Sequence, residues 1–384
     1  MHPVPSTMIS VSWGDHLEWG QGDGGLATPD AIQRRMHAWQ SELAATTLLW
    51  RYNSAYTRLR RHFQAPGVSS RWASQRHEPG AMQEGAVVTE MAHRQGLKAY
   101  LYMAIYDEGW PLELGWHGGF EAAQSYYVLR NPDHQVVDRS GTLHHHGVLC
   151  FAYPEARRYT VGKLLMMVES GDWDGVFVCT RSQSRPAAYG DQFGFNPPVV
   201  QEFAQRYGVD IRTHDFDLDA WRRLLGDHLT TLLRAMKDVL APRGLPLIVG
   251  IPRSHYLGPP VGNHYLDWRG WLAEQIVDGL VIDQVAAVCP STWLTMWPRH
   301  QGYGYLENHF EPFGTRPPLE ADVAATWAPA CQEHGVPLYI ARMWKERDPA
   351  VEAHLQQIPG VSGLVFSSFR YDNPEVCRRA LWTV

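Results

Sequence analysis

"LKAYLYMAIYDEGWP", Leu97 to Pro111, starts as a β-former-rich apolar run and passes without a break into Asp107, Glu108, Gly109, Trp110 and Pro111. Leu97–Tyr106 has the length and composition of a buried strand. A core strand that ends in two carboxylates is unusual, because charge at the edge of a core is costly unless it is paired or used. The arrangement suits a barrel strand that opens into an active-site rim.

Seven further segments of the same kind follow the chain: "MISVSWG" (8–14), "TTLLWRY" (46–52), "GVFVCTR" (175–181), "LPLIVGIPR" (245–253), "GLVIDQV" (279–285), "VPLYIAR" (336–342) and "GLVFSSFR" (363–370). Helical patterns lie between them. Thr28-Pro29 caps and opens "DAIQRRMHAWQSEL". "PEARRYTVGKLLMMVES" places Val161, Leu164, Leu165 and Val168 on one face, and "DLDAWRRLLGDHLTTLLRAMKDVL" does the same with Leu225, Leu229, Leu232, Met236 and Val239 before Pro242 and Gly244. Eight strand and helix alternations with no shift in composition predict a single (β/α)8 TIM barrel domain over residues 1–384, since parallel strands need crossover helices and two covered faces. The loops are unequal. Those after strands 2, 3, 4 and 6 are long and rich in Trp, His, Tyr, Gly and Pro, whereas those before strands are as short as Arg243-Gly244 and His334-Gly335. The long segments 54–80, 107–150, 180–196 and 287–318 should therefore share one end, the functional one.

Composition narrows the partners. A net charge of −6 with both signs dispersed offers neither a basic footprint for nucleic acid nor a polybasic face for a membrane. There is no apolar run of membrane-helix length and no signal-type start, so the chain reads as cytoplasmic; its oligomeric state is not legible. Cys150, Cys179, Cys289, Cys331 and Cys377 are odd in number and scattered, which fits buried reduced thiols. Sixteen tryptophans suit stacking on sugar faces, and 30 arginines stand against four lysines.

The strand exits carry the chemistry: Asp15 and His16; Arg51 and Tyr52; Asp107 and Glu108; Arg181; Arg253 and His255; Asp283 and Gln284; Arg342 and Glu346; Ser368 and Arg370. Five of eight exits deliver arginine. These guanidinium groups form either a ring of rim salt bridges or a grip on an anionic substrate group. Glycoside hydrolysis needs two carboxyl groups flanking the bond. Strict alternation puts Glu108 on the side of Tyr100, Tyr102, Ala104 and Tyr106, the side that faces the barrel mouth, while Leu101, Met103 and Ile105 face the helices. Asp283, in phase with Val281 three strands further round, is its partner. Glu346 is the reserve, and Asp107 and Asp15 are assigned to holding loops or arginines. No cofactor is expected: His144 to His146 are adjacent rather than spaced as ligands and read as a loop cluster packed on aromatics, "SWGDH" lacks the HxH of barrel metallohydrolases, and "GQGDGG" lacks phosphate-loop spacing.

Five stretches, "IYDEGWPL" (105–112), "FAYPEARRY" (151–159), "WDGVFVCTRSQSRP" (173–186), "DQFGFNPPVVQEFAQRYGVDI" (191–211) and "HYLDWRGWLAEQIVDGLVIDQV" (264–285), occur in an order that resembles the glycoside-hydrolase-like (β/α)8 proteins of the family-10-like hydrolase group. The resemblance implies a barrel and sugar chemistry. It departs from the well-understood barrel glycosidases at strand 4, where an Asn-Glu is replaced by Thr180-Arg181-Ser182, so the acid/base positions are not inherited. The expectation is a glycosidase acting on an oligosaccharide or polysaccharide fragment that carries uronate or sulfate groups. Glu108 is its acid and Asp283 its nucleophile or base. Tyr52, Trp110, Trp293, Trp297 and Trp344 line subsites, and Arg51, Arg181, Arg253 and Arg342 bind acidic substituents, with Asp15, His16 and His255 beside them. A carbohydrate-binding barrel without activity and a metal-dependent hydrolase or deacetylase are the alternatives.

Overall fold

The computed structural model describes residues 6–11, 26, 29–51, 84–109, 111, 124–180, 187–284, 309–313, 316–342 and 348–367. Eight strands close into one parallel barrel: β1 (Ser6–Val11), β2 (Thr47–Arg51), β3 (Lys98–Ala104), β4 (Gly175–Cys179), β5 (Leu247–Gly250), β6 (Gly279–Ile282), β7 (Leu338–Arg342) and β8 (Val361–Ser367). Each pairs with its successor, and β8 returns to β1 through Ser6↔Gly363 to Ser10↔Ser367. Every strand falls within or against the segment that the sequence predicts.

Period-2 alternation sorts each strand into two faces. Met8, Leu49, Tyr100, Tyr102, Ala104, Phe177, Cys179, Ile248, Val281, Ala341 and Val365 pack together inside the barrel. The intervening residues, Leu101, Met103, Val176, Val178, Leu280, Ile282, Leu338 and Ile340 among them, pack with the helices in the larger core. The surrounding layer includes α1 (Pro29–Leu43), α2 (Glu84–Arg94), α3 (Pro154–Val168), α4 (Pro197–Tyr207) and α5 (Leu218–Leu240).

Two of these helices bury faces other than simple apolar stripes. Helix α3 buries Ala156, Thr160, Lys163, Leu164, Met167 and Val168, leaving Val161 and Leu165 half-buried, so the face read from its aliphatic residues is rotated and includes a lysine. Helix α5 follows the predicted stripe except at half-buried Val239, and adds Trp221, Arg222 and Gly226 to the interior.

Because all eight strands run in one direction, every strand exit lies at the same end; of the long segments expected there, 54–80 and most of 287–318 lie outside the described residues. At that end the loops clasp one another. After β3, strand Gln135–Val137 pairs antiparallel with His144–Leu149, and after β5, Tyr256–Gly258 pairs with Gly262–Tyr265. Asp138 bridges Phe193 of the loop after β4, and Asn196 from that loop accepts from Val137 N and donates to Gln135 O. Asn263 accepts from Glu311 N after β6, and Arg222 of α5 holds Asp191 through Nε (3.0 Å) and Nη2 (2.6 Å). His144 to His146 thus lie in a hairpin strand rather than a loop, with His145 stacked on Phe193 at 4.7 Å. Cys150, Cys179 and Cys331 are buried and form no disulfide among the described residues, and burial pushes the Cys150 thiol up to about 12. Cys289 and Cys377 lie outside the described residues.

Candidate active site

Strand β3 keeps its phase up to Ala104 and then loses it. Tyr100, Tyr102 and Ala104 face inward as alternation requires, but Ile105 and Tyr106 form a turn, and Tyr106 packs on Phe151 at 5.1 Å in the outer core. The two carboxylates that follow are distributed in the reverse of the expected way. Arg51, the last residue of β2 and in phase with inward Leu49, lies 5.8 Å from the Tyr102 ring and donates through Nη2 to Asp107 Oδ2. Asp107 is therefore the carboxylate at the top of the barrel, buried with its arginine.

Glu108 points the other way, which corrects the sequence reading of its orientation. Lys163 Nζ of α3 donates to Oε1 at 2.7 Å and Tyr159 Oη to Oε2 at 2.9 Å, and the pair with Lys163 is almost wholly enclosed. Its backbone is also used, with N donating to Gly147 O and O accepting from Ser125 N, both at 2.9 Å. A carboxylate with both oxygens engaged behind the barrel wall holds the turn to α3 and does not reach the mouth. Tyr159 and Lys163 were not foreseen as its partners; their signal was an i, i+4 pair that includes one of only four lysines on a helix face next to apolar residues.

At the β6 exit, Asp283 adopts a left-handed conformation, φ 59°, one of three non-glycine residues with positive φ among those described. That region is sparsely used by side-chain-bearing residues, Asp and Asn being the more tolerant, and strain of this kind concentrates at functional sites. Its Oδ1 lies 3.5 Å from Arg253 Nε and 3.8 Å from Arg316 Nη1, and its side chain is 15% exposed. Arg253 in turn donates through Nη1 to Asp322 Oδ2 at 2.7 Å and to Pro317 O at 2.9 Å, and Trp327 Nε1 donates to the same Asp322 oxygen at 3.2 Å. Asp283 thus sits between two guanidinium groups, with part of its side chain open.

The remaining predicted residues divide. His255 accepts from Trp268 Nε1 at 3.2 Å and lies against the rings of Trp268 and Tyr265, and burial lowers its pKa. It serves the packing of the second hairpin. Arg342 ends β7 opposite Phe366, one step out of phase with inward Ala341, and is buried. Asp15, His16, Tyr52, Trp110, Arg181, Trp293, Trp297, Trp344 and Glu346 lie outside the described residues. Among the described residues, no group of three or more His, Cys, Asp or Glu is placed to hold a metal ion, and no helix is long and apolar enough to cross a membrane.

No protein-family model matches the chain, and no curated protein matches it. Solved structures do. The beta-galactosidase of the psychrophilic Marinomonas ef1 superposes with a TM-score of 0.51 at 12% identity, over 94% of this chain and 53% of that one. The two share the (β/α)8 barrel fold. This chain spans about half the length of that galactosidase. The PgaB (BpsB) glycoside hydrolase domain of Bordetella bronchiseptica aligns over 98% of both chains (TM-score 0.49, 12% identity). The alpha-L-fucosidase isoenzyme 2 of Paenibacillus thiaminolyticus aligns over 94% of this chain and 46% of its own (TM-score 0.49, 12% identity). At such identity the likeness is one of fold, and enzymes built on this fold carry their chemistry at the ends of the barrel strands.

Proposed function

We propose that this chain hydrolyses a glycosidic bond in an oligosaccharide, with Asp283 as nucleophile or base and Glu346, past the end of β7, as the second carboxyl. The observation that carries this reading is Asp283 itself. It is a strained, partly open carboxylate at a barrel-strand exit, the group and the place that a nucleophile or base of glycoside hydrolysis needs. Asp107 and Arg51 support the opposite side of the mouth as a buried pair, and Glu108 takes no part in the chemistry. The family-10-like resemblance of the sequence agrees with this reading.

Arg51 and Arg253 already partner Asp107, Asp283 and Asp322, so recognition of a uronate or sulfate falls chiefly to Arg181. The same pairing favours a second reading, a barrel that binds carbohydrate without cleaving it, because both described mouth carboxylates are held by arginine. A panel of aryl glycosides and oligosaccharides, neutral and uronate-bearing, separates the two. On a hydrolysed member, Asp283→Asn and Glu346→Gln should each lower kcat by at least about a hundredfold, the low end of what a general acid or base contributes. Wild-type rates in both variants would refute the assignment. Binding without turnover across the panel would establish the second reading.

A further inference from the structure

Gln284 follows Asp283, and its side chain is a polar group at the barrel mouth that the proposed chemistry leaves unused. The residue is 5% exposed, and Oε1 has no hydrogen-bond partner among the described residues. Its location is set by a missing side chain. A Cβ on Gly250 would lie 2.3 Å from Gln284 Oε1 and 2.7 Å from Phe177 Cζ. Phe177 and Ile248 both belong to the barrel interior, and Gly250 stands two residues beyond Ile248 on the same face. The amide therefore occupies the inward space above Gly250, at the top of the barrel.

Unbroken alternation from Val281 would turn Gln284 outward. The left-handed φ of 59° at Asp283 overrides it, while Gln284 N still donates to Ile251 O at 3.1 Å and keeps the backbone registered on β5. A strained bend, a glycine with no room for a Cβ and a buried amide oxygen without a partner among the described residues thus coincide at one point. An amide in such a place is costlier than a methionine of similar size, unless a ligand supplies the hydrogen bonds.

We infer that Gln284 is a specificity-determining residue, the floor of a sugar subsite whose amide hydrogen-bonds a ring hydroxyl. This rests on the sugar-binding reading given above. A hydroxyl both donates and accepts, and a flip of the amide presents either Oε1 or Nε2 to it. The neutral amide binds an uncharged ring position and leaves acidic substituents to the arginines. An analogue lacking that hydroxyl strands the amide again and is rejected.

The test is titration calorimetry of wild type and Gln284→Met with a panel of neutral and uronate-bearing oligosaccharides, together with melting curves of both proteins. Monodeoxy analogues of any sugar that binds form a second series. The expected result is that Gln284→Met binds about tenfold more weakly, melts no lower than wild type, and is indifferent to the one deoxy position that costs wild type a similar factor. Equal affinity of the two proteins, or wild-type indifference to every deoxy position, overturns the inference and leaves the sugar reading intact. A lower melting point or failure of the variant to fold shows the amide to be structural and also overturns it. Failure of wild type to bind any sugar removes the reading beneath it, and the inference with it.

Discussion

Glu108 and Lys163 form an ion pair whose side chains are each 2% exposed, and the cost of breaking it is the cost of a stranded charge. Lys163→Met should destabilise the protein by about 3–5 kcal/mol in urea titration, and the double variant Lys163→Met with Glu108→Leu should recover most of that loss. Glu108→Gln should lower stability. If it instead left stability unchanged and abolished turnover, Glu108 would return as a catalytic group. Asp283 makes a separate demand on its residue type. Its φ of 59° suits Asp and Asn but not a β-branched chain, so Asp283→Val should cost about 1–2 kcal/mol more than Asp283→Asn in the same measurement.

Helices α3 and α5 each carry an interior glycine, for opposite reasons. A Cβ at Gly162 of α3 would meet nothing within 4 Å, so Gly162→Ala should stabilise by roughly 0.5–1 kcal/mol through helix propensity and a less disordered unfolded chain. At Gly226 of α5 a Cβ would lie 2.1 Å from Tyr265 O, in the hairpin strand that packs on the helix. Backbone cannot yield as a side-chain tip can, so Gly226→Ala should destabilise by about 1–3 kcal/mol despite its better propensity. Thermal unfolding of the two variants checks both signs. The start of α5 is a third element-level feature, with Asp217 accepting from Ala220 N at 3.0 Å to cap the helix.

The whole molecule buries several histidines in the layer outside its barrel. The imidazole of His264 is brought down to about 3, first by burial and then by neighbouring His145 and His228, and burial also lowers His134, His146 and His228. Below about 6.5, the ordinary histidine value, the unfolded chain takes up protons that these folded histidines refuse. Stability should therefore fall as pH drops from about 6.5, the His264 contribution continuing to decline until pH reaches about 3. Melting temperatures from pH 7 to 4 should show the decline, and His264→Gln should flatten it. An unchanged slope in that variant would place the acid sensitivity elsewhere.

Strand number, strand phase and barrel closure were legible in the chain, because a parallel ladder repeats every two residues and each buried face demands apolar side chains at that spacing. Tyr100, Tyr102 and Ala104 obey this rule, and so does Val281. The rule ends with the ladder. The turn at Ile105 and Tyr106 reversed the directions in which Asp107 and Glu108 face, and the left-handed Asp283 turned Gln284 inward; neither bend is marked by a glycine or proline at the bend itself. Lys163 escaped notice because nothing in a helix's own periodicity reports a carboxylate brought to it from 55 residues away. The sequence by itself determined the barrel, through local hydrophobic periodicity. Which carboxylate faces its mouth was decided only by tertiary structure, where charges pair across elements that the period of one strand cannot see.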